Sequence, residues 1–379
     1  MIYLDNSAGT RPYPEVIETI TNVLTNHWGN ASADSSFGKD AMAVVDQVTN
    51  QVADDFNCSP DEIIWTSGAC EANSLAIVGF FNVHDDFVLC TTKMEHASAA
   101  NASRAALSYV KYILSNNNDG FIKLDMLEKT LEEIRENDNY PFVSIVFANS
   151  EIGVIQDIKA ISKIVHKYNG IIHVDATQMY PWYNINVQDL EIDLMSVSGQ
   201  KMNCVKGIGC LFVRDGIELD TLIYGTQQKG RRGGTYPTHL IAAFGKALEL
   251  TRKYNSLGGV KALRDHLLSQ LLLIDGTYLN GPGADNMRLP NNISLTIDGV
   301  KADILTTMCD LMGVIIAKGS ACKSHEPKPS ETLLAIGLTE EQALNTIRIS
   351  LDEFNSLEEI NEAAKIITAL VERIRNDDE

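Results

Sequence analysis

Two residues stand where side-chain chemistry is easiest to arrange. Cys322 lies in the run Gly319-Ser320-Ala321-Cys322-Lys323-Ser324, with Pro327 and Pro329 after it. Small residues followed by prolines read as an irregular, mobile loop. A thiol there suits a nucleophile, and Lys318, Lys323 and His325 beside it would favour the thiolate. Lys201 follows the apolar segment Leu194–Ser198, and Gly207-Ile208-Gly209 opens the next one. That places one amine at the mouth of a sheet, where it can form an imine with an aldehyde and then move protons.

Three further segments end strands in the same way. Asp175 closes Ile171-Ile172-His173-Val174, and a buried strand-end acid is costly without a partner. A pyridine nitrogen would be one partner; a helix cap is the alternative reading. The turn Thr66-Ser67-Gly68-Ala69-Cys70-Glu71 presents backbone N–H groups that suit a phosphate, or is an ordinary strand-to-helix turn. His96, just past a strand, would stack on a ring or transfer protons, or else cap a helix or sit in the core. Thiol, amine and acid together point to sulfur chemistry on an amino acid, run by pyridoxal phosphate.

These residues need a scaffold. Ile63–Thr66, Phe87–Thr91, Val143–Ala148, Ile171–Val174, Leu194–Ser198 and Gly209–Val213 are short, apolar and rich in β-branched residues. Helical patterns at Leu124–Glu136 and Ile158–Tyr168 lie between them. The alternation predicts a mostly parallel sheet covered by helices, with ligands beyond the carboxyl ends of the strands. A long helix is expected over Thr238–Tyr254. After it the pattern becomes a smaller α+β unit, with strands at Asn292–Ile297, Val314–Ala317 and Thr346–Ser350 and helices at Ala302–Met312 and Ser356–Arg375.

The bulk properties narrow the function class. The net charge of -19 over 379 residues argues against a general nucleic-acid surface. No window reaches the roughly 18 apolar residues of a membrane span. The opening Met1–Asp5 does not read as a signal peptide. Seven cysteines without CxxC spacing suggest neither a disulfide framework nor zinc, so a cytoplasmic location is expected.

The chain resembles, almost end to end, the cysteine desulfurases of the NifS/IscS type within the class-V aminotransferases. The resemblance is carried by Tyr3-Leu4-Asp5-Asn6, by Glu71 with Leu75-Ala76-Ile77, and by Glu151-Ile152-Gly153-Val154. Asp175-Ala176-Thr177-Gln178, Gly230–Thr235, Gly319–Cys322 and Ile347–Leu351 carry it further. It implies an α/β protein of the pyridoxal-phosphate-dependent transferase fold type I. In such a fold a mostly parallel sheet is sandwiched by helices, with a smaller α+β C-terminal domain. The expected boundaries are 13–255 for the large domain and 1–12 with 256–379 for the small one, which carries the Cys322 loop.

The resemblance also implies roles. Lys201 would join the cofactor aldehyde, Asp175 would pair with the ring nitrogen, and Gln178 would contact the ring hydroxyl. His96 would stack over the ring. Ser198 and Thr235 would hold the phosphate, Thr235 from the other protomer of a homodimer. Gln200, Ala69, Cys70 and Ser150 complete the expected cofactor set. Arg348 with Asn30 would grip the carboxylate of L-cysteine. Cys322 would take its sulfur as a persulfide, release alanine, and pass the sulfur to an acceptor protein.

Three residues depart from the family pattern around the cofactor. Gln200 replaces a histidine, Cys70 a threonine, and Ser150 an asparagine. Met202–Val205 also replaces a Tyr-Gly-Pro stretch. Each uncompensated hydrogen bond to a charged group would cost about 1.5–3 kcal/mol. The expectation is a specialised, active desulfurase. The alternatives are a selenocysteine lyase or transaminase, or a weakly active sulfur-transfer subunit. The basic stretch Lys229–Arg232 reads as an interface or phosphate-site loop in preference to a docking patch for an acidic partner.

Overall fold

The computed structural model describes residues 1–106, 111–254, 256–283, 287–319 and 328–377. Cys322 and its neighbours from 320 to 327 lie outside the described residues.

The first strand, β1 (Ile2–Tyr3), pairs in parallel with the much later β11 (Val314–Ile315). A seven-stranded sheet then takes up the middle of the chain: β2 (Ile63–Thr66), β3 (Phe87–Thr91), β4 (Lys111–Ile113), β5 (Tyr140–Val146), β6 (Ile171–Asp175), β7 (Leu194–Ser198) and β8 (Gly209–Val213). Its order is β2-β8-β7-β6-β5-β3-β4. All neighbours are parallel except β8, which runs against both β7 and β2. Residues of β6, β7 and β8 are buried on both faces, as helix-covered strands must be.

The covering helices follow from their sequence period. Leu124–Glu136 buries Leu127, Leu131 and Ile134 on one stripe. Ile158–Lys167 buries Ile158, Ile161 and Val165, and its N-cap Asp157 accepts the Ala160 N–H at 3.0 Å. Thr238–Tyr254 packs its small apolar residues against the helices Pro14–Asn26 and Ser36–Phe56.

A second, antiparallel sheet has the order β12-β13-β10-β9, from β9 (Thr277–Leu279), β10 (Asn292–Ile297), β12 (Ala317–Lys318) and β13 (Thr346–Ser350). Helices Leu257–Leu271, Ala302–Leu311 and Leu357–Asp377 cover it. Its core runs from Val260 to Ile374 and includes Leu4 from the other end of the chain. The half-buried Trp182 packs against this core and against that of the large sheet.

The single strand expected over Val314–Ala317 is corrected. Ile316 separates two strands that serve different partners, β11 beside β1 and β12 beside β13. Alternation alone could not show that change of partner. Among the described residues no helix is long and apolar enough to cross a membrane.

Candidate active site

The large sheet gathers the chemical residues along one edge. Asp175 is the last residue of β6, and Ser198 the last of β7. Ser67 and Gly68 follow β2, and Asn149 and Ser150 lie just past β5. Gly209 pairs with both Thr66 and Ser198, so the antiparallel β8 starts at that same edge. A side chain at Gly209 would come within 2.7 Å of the Gly68 Cα, so only glycine lets β8 pass under this turn. Ala69 and the exposed Cys70 open the helix Ala69–Ser74.

Lys201 sits in a tight helical turn after β7. Its Nζ donates to the carbonyls of Ser7 and Ala8, both at 2.7 Å. Burial, then the nearby Arg348 charge, push the amine down to about 8. Gln178 Nε2 donates to the same Ser7 carbonyl at 3.0 Å. The carbonyl of Gln200 accepts both the N–H and the hydroxyl of Thr10. The N-terminal segment thus lies directly against the lysine.

Asp175 is 4 % exposed, and two neutral donors hold its carboxylate: Asn73 Nδ2 at 2.8 Å and the Thr177 N–H at 3.1 Å. Among the described residues its hydrogen bonds come from neutral groups, and a buried carboxylate so held still favours a cation, so a pyridinium nitrogen fits here. His173, two residues earlier, is fully buried between Ser144 and Ser196, at 2.9 Å from each hydroxyl. Burial pushes its imidazole down to about 4, so it is a neutral structural pin.

His96 is exposed and caps the helix Ala97–Ala105, its Nδ1 accepting the Ser98 N–H at 3.2 Å. The capping reading of this histidine therefore holds, alongside its position past β3. Asn149 is occupied by its own turn: Oδ1 accepts the N–H groups of Glu151 and Ile152, and Nδ2 donates to Met94 O. Ser150 is half-buried, and its carbonyl accepts from Asn292.

Arg348, on β13, brings the second sheet into the site. Its Nη2 pairs with Asp5 Oδ1 at 2.7 Å, and its buried Nε has no hydrogen-bond partner among the described residues. A free guanidinium N–H beside a buried amine suits a carboxylate. Asn30 is exposed between the first two helices, and its Oδ1 accepts the Ser32 N–H. Among the described residues no bond joins it to Arg348 or Lys201.

The basic stretch is consumed by its own chain. Arg232 grips Glu71 with two bonds, at 2.7 and 3.2 Å; Arg231 donates to the carbonyls of Asp61 and Ile63, and Lys229 pairs with Asp61. Burial would raise the Glu71 carboxyl, but the Arg232 and Ser67 bonds outweigh it and hold it low. This clamp brings the exposed Thr235 to the rim of a cavity that Ser67 also lines. Lys318 pairs with Asp303 at 2.7 Å.

Two residues that sequence reading passed over shape the site. Asn203 holds a left-handed φ of 57° and donates through Nδ2 to Arg11 O and to Asp352 Oδ2. Its N–H donates to Thr10 Oγ1. It therefore ties the lysine turn to the N-terminal segment and to the end of β13. Asn203→Ala loses both side-chain bonds and keeps an unfavourable φ, so urea unfolding should show a loss of about 3 kcal/mol. Asn203→Gly, relieved of the strain, should lose about 1 kcal/mol less.

Glu151, in the Glu-Ile-Gly motif, is the second. Ser330 donates to its carboxylate, and burial pushes the carboxyl up to about 7. Its protonated form is the one the fold favours. The stabilisation is complete below 4.5, the ordinary value, and is lost as pH rises through 7. Glu151→Gln should therefore gain on the parent by about 3 kcal/mol at pH 8, with no gain at pH 4, in paired denaturation curves.

With this geometry in view, the kinship is clear. A family model described as Aminotransferase class-V matches residues 2–362. "Cysteine desulfurase IscS 1" of Archaeoglobus fulgidus is 32 % identical over 99 % of this chain and 98 % of its own. "Cysteine desulfurase IscS" of Colwellia psychrerythraea is 35 % identical over 99 % and 94 %. Among solved structures, a NifS-like protein from Rickettsia africae superposes with a TM-score of 0.87 at 30 % identity, covering 99 % of both chains. A structure described as SspA in complex with cysteine does so at 0.80 and 28 %, covering 94 % of this chain and all of that one. The chain belongs to the class-V aminotransferase family, among the cysteine desulfurases of the NifS/IscS type. Its fold is that of the type I pyridoxal-phosphate enzymes.

Proposed function

We propose that this protein is a pyridoxal-phosphate-dependent cysteine desulfurase. It takes the sulfur of L-cysteine as a persulfide on Cys322, releases L-alanine, and hands the sulfur to an acceptor protein. The observation that carries the reading is the joint placement of Lys201, Asp175 and Arg348. An amine lowered to about 8 meets a strand-end carboxylate and a guanidinium with a spare N–H.

The cofactor, when bound, supplies an aldehyde for amines and a ring that withdraws electrons from the amino acid. Lys201 is its covalent anchor, and its neutral form is the reactive one. Asp175 would pair with the cofactor's ring nitrogen and favour the protonated ring. Ser198, Ala69, Cys70 and Gln200 would hold its phosphate, with Thr235 supplied by the partner of a homodimer. Gln178 would contact its ring hydroxyl, Ser150 would complete the cofactor set, and His96 would stack over the ring and carry a proton. Arg348, aided by Asn30, orients the substrate carboxylate. The Cys322 thiolate then attacks the substrate sulfur as the carbon–sulfur bond breaks, and the electron pair stays with the amino-acid carbon, which is protonated on the way to alanine.

The separate main cores of the two sheets support a division into a large domain, 13–255, and a small one, 1–12 with 256–379, joined by a smaller cluster of Met94, Ile152 and Val154 with Leu333, Ile336 and Ala343. The six described cysteines are free thiols, which suits a reducing, cytoplasmic setting.

The test is to load the purified protein with pyridoxal phosphate and add L-cysteine. A visible cofactor band, alanine and sulfide in equal amounts with a thiol reductant, and a persulfide mapped to Cys322 by mass spectrometry are expected. Dependence on an added oxo acid would instead make the protein a transaminase. Turnover of selenocysteine alone would make it a lyase. No band at saturating cofactor would sink the enzyme reading.

A further inference from the structure

Four side chains form a continuous hydrogen-bonded line from the strand-end acid to His96. Asn73 is fully buried, and its Nδ2 donates to Asp175 Oδ2 at 2.8 Å and to Ser98 Oγ at 2.9 Å. Ser98 Oγ stands 2.8 Å from His96 Nδ1, which also accepts the Ser98 backbone N–H at 3.2 Å. The direction of each bond can be worked out from the ends. Asp175 Oδ2 accepts, so Asn73 turns its nitrogen, not its oxygen, toward it. The second N–H of that amide then falls on Ser98 Oγ, which receives it on a lone pair. The serine hydrogen is left free to point at His96 Nδ1. From the other side, a backbone N–H can only donate, so Nδ1 is required to be an acceptor on independent grounds.

We infer that Asn73 and Ser98 are positioning residues that set the tautomer of His96, keeping Nδ1 bare and placing the ring's one proton on Nε2. The hydrogen-bond line from Asp175 and the Ser98 backbone N–H thus demand the same tautomer of His96, two residues removed from any direct contact with Asp175. Nε2 is left as the ring nitrogen outside the relay, holding a proton to give. The functional meaning rests on the cofactor-site reading of Asp175 and His96, whereas the relay itself needs only this chain.

The test is nitrogen NMR on protein labelled with 15N-histidine, at a pH where the imidazole is neutral, first without and then with pyridoxal phosphate. The His96 signals are assigned by their loss in His96→Gln. The parent protein is expected to show Nδ1 as the unprotonated nitrogen. Ser98→Ala removes one of the two donors to Nδ1 and should raise the minor tautomer about tenfold. Ser98→Thr, which keeps a hydroxyl, should restore the parent ratio. A protonated Nδ1 in the parent, or a tautomer ratio that moves less than about twofold in Ser98→Ala, would overturn the relay. The cofactor-free spectrum decides this even if the protein were to bind no cofactor, so failure of the relay and failure of the enzyme reading remain distinct.

Discussion

Lys201→Ala should abolish cysteine turnover, with a fall of at least about 10³-fold, because one side chain is both covalent anchor and proton carrier. The visible band of the lysine-bound cofactor should vanish with it. The fold should survive, since among the described residues Lys201 Nζ bonds to the Ser7 and Ala8 carbonyls, and those can turn to water. The pH dependence of the parent protein is a sharper test. An amine at about 8 is mostly protonated at pH 6. Only the neutral form attacks an aldehyde, so cofactor capture at a fixed low concentration should speed up about tenfold per pH unit and level off above pH 8. Stopped-flow absorption measures it. A profile still rising steeply at pH 10 would mean that burial and Arg348 do not depress this amine.

Arg348→Ala should act on substrate capture instead. Its guanidinium charge reaches the lysine, and among the described residues its buried Nε has no partner, leaving it for a carboxylate. Losing a buried, hydrogen-bonded charge pair costs about 2–5 kcal/mol, so KM for L-cysteine should rise about 10²- to 10³-fold while kcat falls less. Two effects are mixed in this variant, because Asp5 is left without its partner. Asp5→Asn separates them: it releases the guanidinium without removing it, and so should lower stability with little rise in KM. Arg348→Lys keeps the charge but not the fork, and should fall between the two. A normal KM in Arg348→Ala would remove this residue from the substrate site.

Much of this was legible in the sequence, for physical reasons. β2, β3, β7, β8, β10 and β13 announce themselves because strands buried on both faces have little choice but to be short and apolar. The helix Leu124–Glu136 shows its apolar stripe every third or fourth residue. β4 and β9 did not show, since Lys111–Ile113 and Thr277–Leu279 are edge strands with mixed surfaces. The reversed direction of β8 left no local trace, because direction depends on where its neighbours lie. Lys201, Asp175 and Arg348 were legible from their places after or within strands. Asn73, Ser98 and Asn203 were not: they are ordinary polar residues, and only three-dimensional placement gives them partners across 25 to 149 positions of sequence. The three departures from the family pattern take different forms. Ser150 adjoins an asparagine already committed to its own turn, Gln200 contributes its carbonyl to Thr10, and Cys70 stands exposed at the start of its helix.

The earliest residues of the chain belong to the latest part of the fold. β1 pairs with β11, Leu4 is buried in the second core, and Asp5 meets Arg348, while Ser7, Ala8 and Thr10 hold the lysine turn. On a ribosome, these first residues emerge roughly tens of seconds ahead of β11 and Arg348, which they must join, at about 5–20 residues per second. The large sheet can close while its own N-terminal strap still trails free. Only when the final strand has been made can the strap dock and draw the arginine toward the amine. A growing chain therefore carries a nearly finished large sheet before β13 exists, so the proposed site can be assembled only after the second sheet has been made.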